Sequence, residues 1–94
     1  MNIASDIRER IGTNSISESF HNTYRFSQES GQSVSSVNVE TVKDGNRVCS
    51  ASLDVSVNRL IISITDYKYL TLEERIAALT TMITDMDKIV NEEV

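Results

Sequence analysis

The chain has 94 residues, of which 39% are hydrophobic and 24% are charged, and its formal net charge is −5. This length suits one domain, so we predict a single α+β domain over residues 1–94. The one cysteine, Cys49, excludes an internal disulfide framework and favours a reducing, cytoplasmic location. No aliphatic run is longer than four residues, which predicts neither a membrane span nor a signal peptide.

The N-terminal third has the least regular pattern. Ile3, Ile7 and Ile11 recur at a spacing of four and Gly12 follows them, which predicts a short helix over residues 1–12 with a glycine at its C-terminal cap. Residues 13–32 are predicted to be a loop with a possible edge strand, because residues 20–26 show a strand-like alternation, with aromatic residues on one side and a polar interruption there at Asn22. A short helix is the alternative for that segment.

Residues 33–69 are predicted to form a β-meander with one aliphatic and one hydroxyl-rich face. A two-residue Asn58-Arg59 turn would pair Leu53 with Ile64 and keep the aliphatic side chains on one face. The same turn would place Val55 opposite Ile62 and Val57 opposite Leu60. Between the first two strands of the meander, a three-residue loop of Lys43, Asp44 and Gly45 would set Val39 opposite Cys49 and Val37 opposite Ala51, with Gly45 left-handed at a bulge.

Residues 71–93 are predicted to form an amphipathic helix. Thr71 and Glu74 have the spacing of a capping box, in which each side chain satisfies a free backbone amide of the first turn. Apolar residues then recur at spacings of three and four. They are Leu72, Ile76, Leu79, Ile83, Met86 and Val90, with Met82 and Ile89 beside them.

The predicted fold is therefore a two-layer α+β fold. It has an antiparallel β-meander of three or four strands, a long C-terminal helix packed on one face, and a short N-terminal helix. About 22 helical residues would span roughly 33 Å, whereas strands of six to eight residues span only about 20–27 Å. We therefore expect the helix to overhang the sheet, and its far apolar residues to contact a partner: Ile83, Met86, Ile89 and Val90.

The inventory of reactive side chains is poor. His21 is the only histidine and Cys49 the only thiol, and the three glycines are isolated, so the sequence predicts no catalytic residues, no metal site and no cofactor. We expect a small, acidic, non-enzymatic protein-interaction or regulatory protein that is a homodimer or binds another protein through its helix. The alternative is a single-stranded nucleic-acid-binding module, in which two aromatic-basic-aromatic triplets would stack bases and hold phosphates. The triplets are Tyr24, Arg25 and Phe26, and Tyr67, Lys68 and Tyr69.

Overall fold

The computed structural model describes residues 7–29 and 33–91. Within these ranges the chain forms five β-strands that pair antiparallel in chain order, followed by one α-helix. A short 3-10 helix (Tyr67–Tyr69) precedes the α-helix. The elements are β1 (Ile7–Ser17), β2 (Phe20–Glu29), β3 (Val34–Lys43), β4 (Asn46–Asp54), β5 (Arg59–Ile64) and α1 (Leu72–Val90). The α+β class and the meander are thus confirmed, with five strands where three or four were predicted.

The predicted N-terminal helix is wrong for residues 7–12, which form the first half of β1, while residues 1–6 lie outside the described residues. A spacing of four suits a strand as well as a helix, because residues four apart also share one face of a strand. Pairing decides between the two. β1 has a complete antiparallel partner in β2, from Ile7 opposite Glu29 to Ser17 opposite Phe20.

The segment left open between strand and helix is a strand, β2, and it lies between β1 and β3 instead of at an edge. Phe20, Tyr24 and Phe26 all point to one face and are buried. The aromatic residues therefore supply a large part of the core, and β2 lies under the helix.

The turn between β3 and β4 has two residues, so the predicted three-residue loop is wrong. Asp44 and Gly45 both have positive φ, 51° and 81°, as a type I′ hairpin turn requires, and Lys43 pairs with Asn46. The register then shifts between Thr41 and Val42. This bulge adds one residue to β4, and it restores the aliphatic face that a two-residue turn alone would have mixed.

The turn between β4 and β5 occupies residues 55–58, which corrects the predicted Asn58-Arg59 turn. Leu53 pairs with Leu60 instead of Ile64. Asp54 stabilises the longer turn, because its carboxylate accepts hydrogen bonds from the Ser56 amide at 3.1 Å and hydroxyl at 2.7 Å. The predicted pairing differs from the observed one by an even number of residues, so the aliphatic side chains stay on the predicted face.

The helix α1 begins at the predicted capping box, with the Glu74 amide donating to the Thr71 hydroxyl and the Thr71 amide donating to the Glu74 carboxylate. It packs chiefly on β3, with further contacts to β1 and β2. The predicted overhang is wrong, because 19 helical residues span about 28 Å and strands of ten residues span about 33 Å. The buried apolar residues are Phe20, Tyr24, Phe26, Val34, Val37, Val39, Val48, Cys49, Ala51, Leu70, Ala78, Met82, Met86 and Ile89.

A polar side chain lies at the centre of the layer between sheet and helix. Asn22 is fully buried, and its amide donates to the Ala78 carbonyl of α1 at 3.3 Å and to the Tyr24 hydroxyl at 3.2 Å. The buried Thr41 hydroxyl of β3 donates to the Asn22 side-chain carbonyl. Each group is satisfied, as burial demands, so Asn22 links β2 and β3 to one turn of the helix.

The hydrogen-bonded chain continues from Tyr24 to the far half of α1. The Tyr24 hydroxyl donates to the Asp85 carboxylate at 2.6 Å, and the side-chain amide of Asn14 in β1 donates to the same oxygen at 2.8 Å. Burial and the hydrogen bond to Asp85 raise the pKa of the Tyr24 phenol, which therefore stays protonated as a donor. These contacts fix α1 over the first three strands.

Replacing Asn22 by alanine should lower the free energy of unfolding by about 2–4 kcal/mol, because the Thr41 hydroxyl and the Ala78 carbonyl would remain buried without this partner. The matched control is Asn38→Ala on the exposed face of β3, which should change the free energy by less than about 0.5 kcal/mol. Urea denaturation of both variants measures the difference. Equal losses of free energy of unfolding in the two variants would contradict a stabilising role of Asn22.

The capping carboxylate Glu74 should contribute to acid sensitivity. The hydrogen bond from the Lys43 ammonium, and then that from the Thr71 amide, hold the pKa of Glu74 below its ordinary value of 4.5. A carboxyl whose pKa is lowered by folding stabilises the fold fully above its unfolded pKa, and this stabilisation is lost as pH falls through the folded pKa. In Glu74→Gln, the free energy of unfolding should fall less steeply between about pH 5 and pH 3 than in the wild type. Urea denaturation of both proteins at each pH measures the two slopes, and equal slopes would contradict this role of Glu74.

Candidate protein-interaction surface

The inner face of β4 and β5 is only partly covered by the helix. Leu53, Leu60 and Ile62 lie on the same side of the sheet as the core, since Leu60 pairs with Leu53 and Ile62 pairs with the buried Ala51. Because α1 lies over β1, β2 and β3, Leu60 and Ile62 remain 40% and 36% exposed. Aliphatic side chains at these positions therefore face solvent beside the helix.

The flank of α1 is apolar and exposed as well. Ile76 is 56% exposed and Ile83 is 50% exposed, whereas Ala78 and Met82 are buried. The helix is thus rotated so that Ala78 and Met82 face the sheet and Ile76 and Ile83 face away from it. The hydrogen bond from Asn22 to the Ala78 carbonyl, together with that from Tyr24 to Asp85, accounts for this rotation.

An open groove of about 520 Å³ lies between the two exposed faces. Its lining is Leu53, Leu60, Ile83, Met86 and Val90, with the polar residues Thr84, Asp87 and Lys88. We call this groove, together with Leu60 and Ile62 of β5 and Leu72, Ile76 and Ile83 of α1, the α1–β5 surface. Together, the side chains of Leu60, Ile62, Leu72, Ile76 and Ile83 expose on the order of 400 Å² to solvent.

The four helix residues predicted to contact a partner divide into two pairs. Met86 and Ile89 are 2% and 3% exposed, because the long strands of the chain's own sheet cover them. Ile83 and Val90 are more exposed and line the groove, which the edge of Met86 also reaches. The structure therefore moves the available apolar surface from the far end of the helix to its side.

The structure does not bring the six residues of the alternative nucleic-acid face together. Tyr24 and Phe26 lie in the core beneath α1, where no base could stack on them. Arg25 points to the opposite, exposed face of the sheet, since successive residues of a strand alternate between faces.

The second triplet lies in the 3-10 helix that joins β5 to α1, instead of extending β5 as the alternation predicted. Tyr67 stacks under the guanidinium of Arg75, which is 3.8 Å from the ring centroid. The ammonium of Lys43 lies 5.2 Å from the centroid of the Tyr69 ring. These rings pack against the chain's own cations, and the exposed Lys68 lies between them in sequence.

Sequence patterns alone missed Leu60, Ile62 and Ile76 as interaction residues. The first two had been assigned to the face that the helix covers, which is the correct face of the sheet. Their exposure follows from the position of α1 over the first three strands, and this depends on recognising β1 as a strand. One available signal was Asn22, a polar residue in an otherwise aromatic stripe, which indicates a specific polar contact on β2.

Comparisons of the chain with protein-family models, with curated proteins and with solved structures find no match. In residues 7–29 and 33–91, no helix is long and apolar enough to cross a membrane. The same residues contain no group of three or more histidine, cysteine or acidic side chains placed to hold a metal ion.

Two neighbouring residues of α1 test the rotation that creates the α1–β5 surface. Met82→Ala should lower the free energy of unfolding by about 2–4 kcal/mol, because it leaves a cavity in the core. Ile83→Ala should cost less than about 1 kcal/mol, because half of that side chain already meets solvent. Chemical denaturation of both variants measures the contrast, and a larger cost at Ile83 would mean that the helix is rotated differently.

Proposed function

We propose that this chain is a non-enzymatic protein-interaction protein that self-associates and contacts its partner through the α1–β5 surface. The observation that carries the proposal is the incomplete cover of the sheet. The helix contacts β1, β2 and β3 most, and it leaves aliphatic side chains of β5 and of its own flank partly in solvent. Burying such side chains stabilises a complex by about 25 cal/mol for each Å² removed from water.

The size of the surface supports a protein as the ligand. A specific protein interface buries about 800 Å² on each partner, of which about 56–65% is apolar. The exposed aliphatic area of the α1–β5 surface, on the order of 400 Å², would supply most of the apolar part. Asp87 and Lys88 would add polar contacts beside the groove, where charges contribute more to specificity than to affinity.

The state of the reactive side chains supports a role without catalysis. Cys49 is 1% exposed, and burial raises the pKa of its thiol, so it is a poor nucleophile. His21 is on the strand next to Val42, on the face opposite to the core, and no second histidine exists in the sequence to work with it. The buried polar chain around Asn22 and Tyr24 has its donors and acceptors engaged within the fold.

Self-association gives the direct test. Sedimentation equilibrium should show a dimer at high micromolar concentration, and Ile62→Glu should weaken dimerisation by at least about 30-fold, because it places a charge on an apolar contact. The matched control is Ser63→Glu, the next residue of β5, whose side chain points to the other face of the sheet and should change the dissociation constant less than about threefold. A wild-type chain that stays monomeric at high micromolar concentration would contradict the proposal.

A further inference from the structure

Within residues 7–29 and 33–91, β5 lies at one edge of the sheet and has one neighbouring strand. It pairs with β4 and lies at the end of the sheet order, and its residues 59–63 are all exposed. An edge strand presents unpaired backbone amides and carbonyls that can pair with another chain. The free edge of β5 is therefore distinct from the side-chain groove beside it.

The hydrogen-bond pattern shows which backbone groups of β5 point outward. The Thr65 amide donates to the Val48 carbonyl at 2.9 Å, one step beyond the pairing of Ile64 with Cys49. In an antiparallel ladder, hydrogen-bonded and non-hydrogen-bonded pairs alternate, so odd-numbered residues of β5 bond to β4. The amides and carbonyls of Leu60, Ile62 and Ile64 consequently face away from the sheet.

The sequence of β5 lacks the features that usually protect an edge. Arg59 is its only charged residue, it contains neither proline nor glycine, and Leu60, Ile61 and Ile62 are consecutive and exposed. The other edge strand, β1, carries three charged residues in a row at positions 8–10. Of the two edges, β5 is thus the one suited to pairing.

We propose that two copies of this chain join through the free edges of β5, antiparallel, with a two-fold axis at Ile62. This proposal rests on the proposed function, since it specifies that self-association uses the β5 side of the α1–β5 surface and leaves the flank of α1 outside the contact. Pairing about Ile62 sets Leu60 opposite the partner subunit's Ile64. Three residues with outward amides and carbonyls on each strand then form six hydrogen bonds between the subunits.

The charges and side chains of β5 fit this arrangement. Arg59 comes opposite the partner subunit's Thr65, so the two arginines lie at opposite ends of the seam and no like charges face each other. On the inner face, the seam joins the aliphatic residues of the two subunits into one continuous strip. The sheet becomes ten-stranded, with both helices on the same side and their exposed flanks as the walls of a shared apolar trough.

Amide hydrogen exchange followed by NMR tests the pairing residue by residue. At low micromolar concentration the amides of Leu60, Ile62 and Ile64 should exchange rapidly, while those of Ile61 and Ser63 are protected by β4. At high micromolar concentration the first three should gain at least about tenfold protection, and the other two should change little. If a dimer forms without added protection at Leu60, Ile62 and Ile64, edge pairing is overturned.

Disulfide cross-linking gives an independent test with a matched control. Ile62→Cys should form an intermolecular disulfide under mild oxidation, because residues of a hydrogen-bonded pair have Cα atoms about 5.5 Å apart, within disulfide range. Leu60→Cys should not cross-link to itself, because the two copies of that residue would lie roughly 13 Å apart along the seam. The native Cys49 is present and buried in both variants. Equal cross-linking of both variants would contradict the two-fold axis at Ile62.

A substitution on the flank of α1 distinguishes a failure of edge pairing from a failure of the proposed function. Edge pairing predicts that Ile83→Glu changes the dimer dissociation constant by less than about threefold, since Ile83 lies away from the seam. If Ile83→Glu abolishes a dimer in which the β5 edge stays unprotected, the copies pack through α1, so edge pairing fails while the proposed function stands. A chain that is monomeric throughout overturns both.

Discussion

The position of α1 on the sheet depends on a chain of buried hydrogen bonds. Asn22 donates to the Ala78 carbonyl, and Tyr24 donates to Asp85 seven residues further along the helix. Hydrophobic burial alone is non-directional and would allow a helix to slide or turn on an aliphatic sheet. A buried polar group without a partner costs roughly 1–3 kcal/mol. A displaced helix would leave several of these groups without partners and would therefore be less stable. These buried hydrogen bonds thus determine both where α1 lies on the sheet and which face of the helix is buried.

Everything at the surface follows from that placement. With α1 over β1, β2 and β3, the helix buries Ala78, Met82, Met86 and Ile89 and leaves its other apolar flank in solvent. The inner face of β5 is only partly covered for the same reason, and β5, with its short, uncharged centre, forms one edge of the sheet in the described part of the chain. An apolar groove and an open backbone edge therefore lie side by side, and both are surfaces that a second protein chain can complete.

Local sequence patterns predicted the parts of this structure that local chemistry controls. The capping box at Thr71 fixed the helix start, and parity assigned the aliphatic face of β4 and β5 correctly. The lengths of both turns were predicted wrongly. The bulge after Asp44-Gly45 and the four-residue turn at 55–58 keep the aliphatic side chains on the same face as the predicted turns would, so the alternation of side chains cannot distinguish the observed turns from the predicted ones. β1 was missed because isoleucines four apart suit either period, and only pairing with β2 decides. The groove required the packing of distant elements, to which the isolated Asn22 was the one local clue.

The central claim is that the inner face of β5 and the flank of α1 are open in a single chain and that β5 is covered in the dimer. Solvent paramagnetic relaxation of methyl groups, measured at low and high micromolar protein concentration, tests it most directly. The methyl groups of Ile62 and Ile83 should relax strongly in the dilute sample, and those of Ile62 should become shielded in the concentrated one, while Val37 and Val39 stay shielded in both. Shielding of Ile62 and Ile83 in the dilute monomer would contradict the account, because it would mean that α1 lies over β5.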